Sequence, residues 1–392
     1  NKTNCKVGSV FVNEEDDAID IKNRKDFNTL HEELQYSDKK KQKSFMSEWF
    51  IDSDKRKYNK FGCYPKNCPK NVYNLWTPLP VDNVKLLEEE EYKDGLEYFK
   101  NHIKVLCNYE EVCYKFVIMW FAQMLQYPEH KSIELIFISQ EGAGKGMLLT
   151  FLRTMLGNIK ILETCDPQND IFASFNGLMK DCFLVVMNEA DKSNFYNANN
   201  KKKGLITDPT ININIKGLPQ FTTNSYHRFM TFSNNPAPSK PNKRRDMIIR
   251  CSDDKMDNVD YFTEGFKYAE DIKCCKYIYD WLMEQPTKPK INNTDIPKTA
   301  YHEEMELHHT DPIVDFINQY LQEITEPKKI SASDLYGLFK YYCQENYINN
   351  EQNPTAFGMK IAFMNCKNIS RKKAFVGSKT INQYTIIPIL TD

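Results

Sequence analysis

Between Ile133 and Phe151 the chain reads "IELIFISQEGAGKGMLLTF": an apolar run, a turn holding glycines and a lysine, then a second apolar run. Few segments restrict a fold as tightly. A stretch of strand length, Ile133–Ile138, apolar at every position but Glu134, has to be covered on both faces, as strands of a parallel sheet are. Met147–Leu156 reads as the helix that follows. Between the two, Gly142 and Gly144 allow backbone N–H groups to turn inward around phosphate oxygens at a helix N-terminus. Lys145 then reaches the terminal phosphates as a point charge. The segment Glu141, Gly142, Ala143, Gly144, Lys145, Gly146 and Met147 is therefore the expected nucleotide-binding loop, with ATP and Mg²⁺ as its ligands. It departs from the usual pattern at both ends. Ser139 stands where the first glycine is usual, and Gly146 stands where a Ser or Thr hydroxyl would meet Mg²⁺. Thr150 lies about 6 Å further along the helix axis, too far to replace that hydroxyl.

From Lys131 to about Asp254, short β-rich runs alternate with helical segments, which predicts an α/β unit with a largely parallel sheet. Three of these runs are bounded by groups suited to phosphoryl transfer. "DCFLVVMNEA" (Asp181–Ala190) closes on Asn188 and Glu189. A metal-holding carboxylate and a base that polarises the attacking water normally sit there, so Glu189 is the expected base and Asn188 with Glu189 the expected metal site. "RFMTFSNNP" (Arg228–Pro236) closes on Asn234, an amide placed to orient water and sense the γ-phosphate. "PNKRRDMIIRC" (Pro241–Cys251) puts Arg244 and Arg245 before one more strand, where guanidinium groups would stabilise the transition state of a neighbouring subunit.

The flanks are less informative. Residues 1–130 are expected to form a mainly helical, collar-like domain, on the evidence of Leu96, Phe99, Ile103 and Leu106 in one helical pattern and Val112, Phe116, Trp120 and Met124 in the next. The ATPase core is assigned to residues 131–285. Residues 286–392 are expected to hold three helices, the first opening at Asp311–Pro312, and a terminal β-hairpin. That order makes a winged helix, a DNA-binding design; a packing or partner-docking module is the alternative. The formal net charge of −1 excludes a global field that would pull the chain onto nucleic acid, so any such affinity has to be local. No uncharged run approaches the length of a membrane span. Twelve cysteines without a framework suit a reducing compartment, and Cys63 with Cys68 lacks the second pair that a zinc site needs.

Taken together, "QEGAGKG", the Asn-Glu strand, "FSNN" and "KRR", with "YNLW" (Tyr73–Trp76), "WFAQMLQYPEHKS" (Trp120–Ser132) and "KGLITDPTININIKG" (Lys203–Gly217), resemble the superfamily 3 helicases, within them the primase-helicase branch of large DNA viruses and phage primase-polymerases. The resemblance covers roughly residues 45–285. It implies a P-loop, AAA+-like core that forms a homo-oligomeric ring, a hexamer, around single-stranded or forked DNA and moves 3′ to 5′ by ATP hydrolysis. It also implies a role in replication of a virus, phage or mobile element, in host cytoplasm or nucleus, with a primase or polymerase module upstream of Asn1 and no membrane. A β-hairpin between the Glu strand and the Asn strand is implied to enter the channel. "ININIKG" (Ile211–Gly217) alternates as such a strand would, which makes Lys216 the expected DNA-gripping residue, with His227, Lys203 and Arg228 as further candidates. An ATP-binding, ring-forming DNA-binding initiator or scaffold is the alternative, favoured by Gly146 and Asn188 and opposed by Glu189 and the arginine pair.

Overall fold

In the computed structural model, residues 4–74 fold mainly as short strands. β1 (Asn4–Val7), β2 (Val10–Glu15), β3 (Ala18–Lys22) and β6 (Lys57–Tyr58) form a sheet in the order β3-β2-β1-β6. Two small pairs join β4 (Gln35–Asp38) to β5 (Lys41–Ser44) and β7 (Lys60–Gly62) to β8 (Val72–Asn74). Two seven-residue helices, α1 (Arg24–Leu30) and α2 (Phe45–Ile51), pack on one face, where Phe11 meets Phe27, Met46 and Trp49. On the other face Val10 and Val12 pack with Phe61 and Tyr73. The expectation of a mainly helical segment ahead of the core is thus corrected for residues 4–74. These strands are two to six residues long and carry Lys, Asn and Glu among their apolar positions, so composition hides their period of two.

The residues described are 4–15, 18–38, 41–86, 92–188, 202–234, 245–308, 311–345, 352–364, 366–376 and 379–388. Helices do follow the strands, as α3 (Lys93–Leu106) and α4 (Glu111–Gln126). They do not form a separate collar. Phe99, Ile103, Trp120 and Phe121 share one hydrophobic core with Leu135, Phe137, Leu148 and Phe151, and the Trp120 indole N–H donates to the Ile133 carbonyl at 2.8 Å. Residue 130 is therefore no packing boundary.

β9 (Glu134–Ile138), β10 (Ile161–Thr164), β11 (Leu184–Asn188), β14 (Arg228–Ser233) and β15 (Asp246–Arg250) make an all-parallel sheet in the order β10-β11-β14-β9-β15. Every residue of β9 and β14 is buried, as central parallel strands demand. Alternation sorts the side chains into two layers. Leu184 and Val186 join the core shared with α5 (Lys145–Leu156), α6 (Val259–Glu270) and α7 (Ile272–Glu284). Val185, Met187 and Phe229 join the opposite core with Phe172, Ile211 and Ile213.

The last two of those belong to the antiparallel hairpin of β12 (Thr210–Ile213) and β13 (Phe221–Asn224). Its far side packs on the N-terminal sheet: Phe221 lies 4.5 Å from Phe61 between ring centroids, with Ile215 and Leu218 in the same cluster.

The start of β14 corrects two DNA-binding expectations. His227 is buried; its Nε2 sits 2.9 Å from the Met179 carbonyl and its Nδ1 2.9 Å from Ser225 Oγ. Burial pushes its imidazole down to about 4, so it is neutral. Arg228 is fully buried as well, donating to the Tyr226 and Tyr127 carbonyls, with its guanidinium over the Phe183 ring. Both residues sit at the entry to a strand covered on both faces, which leaves no route to a surface.

The chain divides into two units, residues 1–305 and 306–392. The second begins later than the expected residue 286, because residues 286–305 stay with the first: Gln123 Nε2 donates to the Pro289 carbonyl at 2.9 Å, and Tyr301 packs on Ile136, Ile138 and Ile248. In the smaller unit three helices, α8 (Pro312–Glu323), α9 (Ala332–Glu345) and α10 (Pro354–Met364), enclose Ile313, Phe316, Phe339 and Phe357. Asp311 caps α8 through the Ile313 N–H, and Pro312 fills its first turn. β16 (Lys328–Ser331), β17 (Ile369–Val376) and β18 (Lys379–Ile386) complete it as an antiparallel sheet in the order β16-β18-β17.

Two measurements follow from this packing. Phe61→Ala removes the ring under Phe221 and is expected to lower stability by about 3 kcal/mol, with faster tryptic cleavage at Lys216. Urea melts with timed digestion check it, and a tip as resistant as wild type would mean that the β12–β13 pairing alone holds the hairpin. For His227, an unfolded imidazole titrates at its ordinary value of 6.5 and the folded one at about 4. Its stabilising contribution is therefore complete above pH 6.5 and lost as pH falls through 4, amounting to about 3 kcal/mol there. Melting temperatures at pH 7, 5.5 and 4 should drop more steeply for wild type than for His227→Gln.

Candidate nucleotide site

Parallel register brings three strand ends to one edge. Ser233 of β14 lies opposite Ile138 of β9, and Asn188 of β11 opposite Phe232 of β14. Ligands in open α/β sheets bind at this carboxyl edge. The loop from β9 into α5 turns on Gly142 and Gly144, with φ of 80° and 96°. At Gly142 only the backbone angle demands glycine, since an added Cβ would meet nothing. At Gly144 space demands it too, because a Cβ would come within 2.5 Å of His102 Cε1.

Lys145 begins α5, and its ammonium is held between two strand ends. Nζ donates to Ser139 Oγ at 2.6 Å, to the Ser139 carbonyl at 3.2 Å and to Asn234 Oδ1 at 2.8 Å. Ser139 thereby acquires a reason to differ from the usual glycine: its hydroxyl accepts from Lys145 while donating to the Gln140 carbonyl. Thr150 bonds back to the Gly146 carbonyl at 3.2 Å within its own helix, so it does not face the loop. A cavity of about 440 Å³ opens over this edge. All seven loop residues, Glu141 to Met147, line it, together with Asn188, Asn234, Glu163 and the rings of Phe262 and Phe266.

Two residues that shape this site, one behind the loop and one in the cavity, carry no distinctive signal of their role in the sequence. His102 comes from α3, where it occupies the buried face with Phe99 and Ile103. Its Nε2 lies 3.0 Å from the Gly144 carbonyl and its Nδ1 2.9 Å from the Tyr261 hydroxyl. A carbonyl only accepts, so Nε2 carries the proton and Nδ1 accepts from the tyrosine. Burial holds this imidazole down at about 4 and hence neutral. A trans peptide points its C=O and the next N–H in opposite directions. Tying the Gly144 carbonyl to His102 therefore directs the Lys145 N–H away from it. A histidine on an apolar helix face was the available signal, and it is also what an ordinary core histidine looks like.

Glu163 is the other addition. It lies on the edge strand β10, about one-third exposed, where one oxygen accepts from Asn188 Nδ2 at 2.5 Å and the other pairs with Arg153 of α5. Asn188 Oδ1 has no hydrogen-bond partner among the described residues.

Of the remaining expected site residues, Glu189 and Arg244 lie outside the described residues. Arg245 sits at the other edge of the sheet, where its carbonyl accepts from Glu134 N at 2.8 Å and Asp246 pairs with Glu134. A five-residue strand, roughly 16 Å long, separates that edge from the phosphate loop. Within one chain Arg245 therefore does not join Lys145. Lys216 is exposed in the turn between β12 and β13, beside Gly217 with φ of 80°, and Lys203 is exposed too. All twelve cysteines are free thiols, and the described residues include no cluster of three or more His, Cys, Asp or Glu able to hold a metal. No helix among them is long and apolar enough to cross a membrane.

Comparison with known proteins bears on the fold. A family model described as a family of unknown function (DUF5906) matches residues 137–246, and one described as Poxvirus D5 protein-like matches residues 308–388. The DNA primase-polymerase of Nitratiruptor phage NrS-1 is 27% identical over 199 residues, which are 50% of this chain and 27% of the phage protein. The chain thus matches little more than a quarter of that relative's length. An apo structure of the NrS-1 C-terminal region superposes with a TM-score of 0.65 at 15% identity, over 96% of this chain and 94% of that one. A second, of residues 305–718, gives 0.64 at 16% identity over 99% and 96%. At such identities the structural likeness is one of fold. The glycine-lysine loop on a five-stranded parallel sheet, the D5-like C-terminal unit and the phage homologue together support a relationship of this chain to the superfamily 3 primase-helicases.

Proposed function

We propose that the chain is an ATP-dependent DNA helicase that works as a hexameric ring in the replication of a virus, phage or mobile element, translocating 3′ to 5′. The observation that carries this reading is the Lys145 ammonium, 2.8 Å from Asn234 Oδ1 at the tips of adjacent parallel strands, beside Asn188 and beneath an open cavity. Backbone N–H groups of residues 142–147 would receive the β- and γ-phosphates of ATP, and Lys145 would exchange its protein oxygens for phosphate oxygens. Asn234 would then be released to touch the γ-phosphate. Glu189, next after Asn188, would take a proton from the attacking water. Asn188 and Glu189, with the phosphate oxygens, would hold a magnesium ion, which would supply positive charge against the triphosphate. Asn188 Oδ1, without a partner among the described residues, is an acceptor that suits it.

Arg245 lies at the opposite sheet edge and Arg244 precedes it, so these guanidinium groups would act on a neighbouring subunit's phosphates, which makes a ring part of the active site. DNA would be gripped by Lys216 at the hairpin tip, with Lys203 as a second cation, and by the C-terminal unit read as a winged helix. A primase or polymerase module in the same protein fits the phage relative. The missing hydroxyl at Gly146 favours a second reading, in which nucleotide only holds a DNA-binding initiator or scaffold ring together.

Rates of ATP hydrolysis with and without single-stranded DNA separate the two. Lys145→Ala and Glu189→Gln are each expected to lower DNA-stimulated hydrolysis by about 100-fold or more. Equally slow turnover in wild type and both variants would leave the motor reading without support. Lys216→Ala should weaken single-stranded DNA binding whatever the sequence and reduce the slope of log K against log[salt] by roughly 0.7 per lost phosphate contact. An unchanged slope would remove Lys216 from the DNA path.

A further inference from the structure

We propose that Glu163 carries the metal-facing negative charge that residue 188 lacks, so that Mg²⁺·ATP is held by a carboxylate on β10 instead of one on β11. The inference rests on the nucleotide reading above. β10 and β11 run parallel, with Glu163 opposite Val186 and Thr164 opposite Met187. That register makes Glu163 and Asn188 diagonal neighbours, and both line the cavity over the phosphate loop.

The Asn188 amide donates to Glu163 at 2.5 Å, which fixes its orientation and turns Oδ1 to the other side, where it has no partner among the described residues. A carboxylate at position 188 would stand within hydrogen-bond distance of the Glu163 carboxylate, and like charges so placed repel. The amide removes that conflict and becomes a donor. Within the strands themselves the negative charge is thus moved one strand outward, from position 188 to Glu163. Mg²⁺ in phosphate sites commonly takes one or two carboxylates, retains water and accepts its other ligands from the phosphates. Glu163 binding directly or through such a water, with Asn188 Oδ1 accepting from a second water, meets that requirement. Partial exposure keeps Glu163 within reach, and Arg153 holds its other oxygen.

The test uses the full chain and two readouts. Affinity for a fluorescent ATP analogue in EDTA reports the loop alone. Electron paramagnetic resonance titration of Mn²⁺ in the presence of a non-hydrolysable ATP analogue reports the metal. Glu163→Gln should leave metal-free nucleotide affinity within about 2-fold and weaken Mn²⁺ by about 10-fold or more, while Glu163→Gln/Asn188→Asp should recover most of that loss. Arg153→Gln removes the ion pair and keeps the carboxylate, so it should bind Mn²⁺ at least as well as wild type. The proposal is overturned if Glu163→Gln binds Mn²⁺ like wild type, or if Arg153→Gln loses as much as Glu163→Gln, since the ion pair would then be the whole of its role. If wild type binds the analogue in EDTA no better than Lys145→Ala, it is the nucleotide reading itself that fails.

Discussion

The pairing of β9 with β14 is the constraint on which the site depends. Their hydrogen bonds set Ser233 beside Ile138, and with that register the next residues of both chains, Ser139 and Asn234, meet around one ammonium group. A slip of one residue would turn every side chain of β14 to the other face of the sheet. It would also carry Asn234 away from Lys145. Burial of all eleven residues of the two strands makes such a slip prohibitive, so the packing of the core is what holds the charged groups in place. The lysine, with five protein oxygens within 3.5 Å, is held in a fixed position. Groups held ready in this way need little reorganisation when charge arrives.

The loop is braced from outside the sheet as well. α3 delivers His102 to the Gly144 carbonyl, and α6 delivers Tyr261 to His102. The glycine, the histidine and the tyrosine therefore form one buried chain of hydrogen bonds, and the absence of a side chain at residue 144 is what makes room for it. That arrangement explains why the helices before residue 130 cannot be a detachable collar. α3 braces the loop of the candidate site through His102, and both helices share the core behind it.

The hairpin with Lys216 at its tip is built into two cores at once. Ile211 and Ile213 pack under the parallel sheet, while Ile215, Leu218 and Phe221 pack on the N-terminal sheet through Phe61. Its base cannot shift without disturbing one core or the other, and displacing close-packed side chains is costly. Any motion that carries Lys216 along a strand of DNA would therefore take the N-terminal sheet with it. A small β-sheet that sequence alone leaves without a purpose becomes the support of the element proposed to touch DNA.

Sequence by itself determined the elements whose signals are local. A buried strand, two glycines with positive φ, a lysine and an apolar helix are read from consecutive residues, because each is dictated by backbone sterics or by a short hydrophobic period. The alternating runs from Lys131 to Asp254 likewise determined a parallel sheet, and Asp311–Pro312 the start of a helix. The strands of residues 4–74 were hidden by the charges interleaved in them, and His227 and Arg228 looked like surface cations. Only tertiary structure decided that β14 is a central strand and so buries both. It alone brought His102 to Gly144 and Glu163 to Asn188, pairs separated by 42 and 25 residues. Such contacts depend on strand order and helix packing, which are global outcomes of burying one core, and no local run of residues records them.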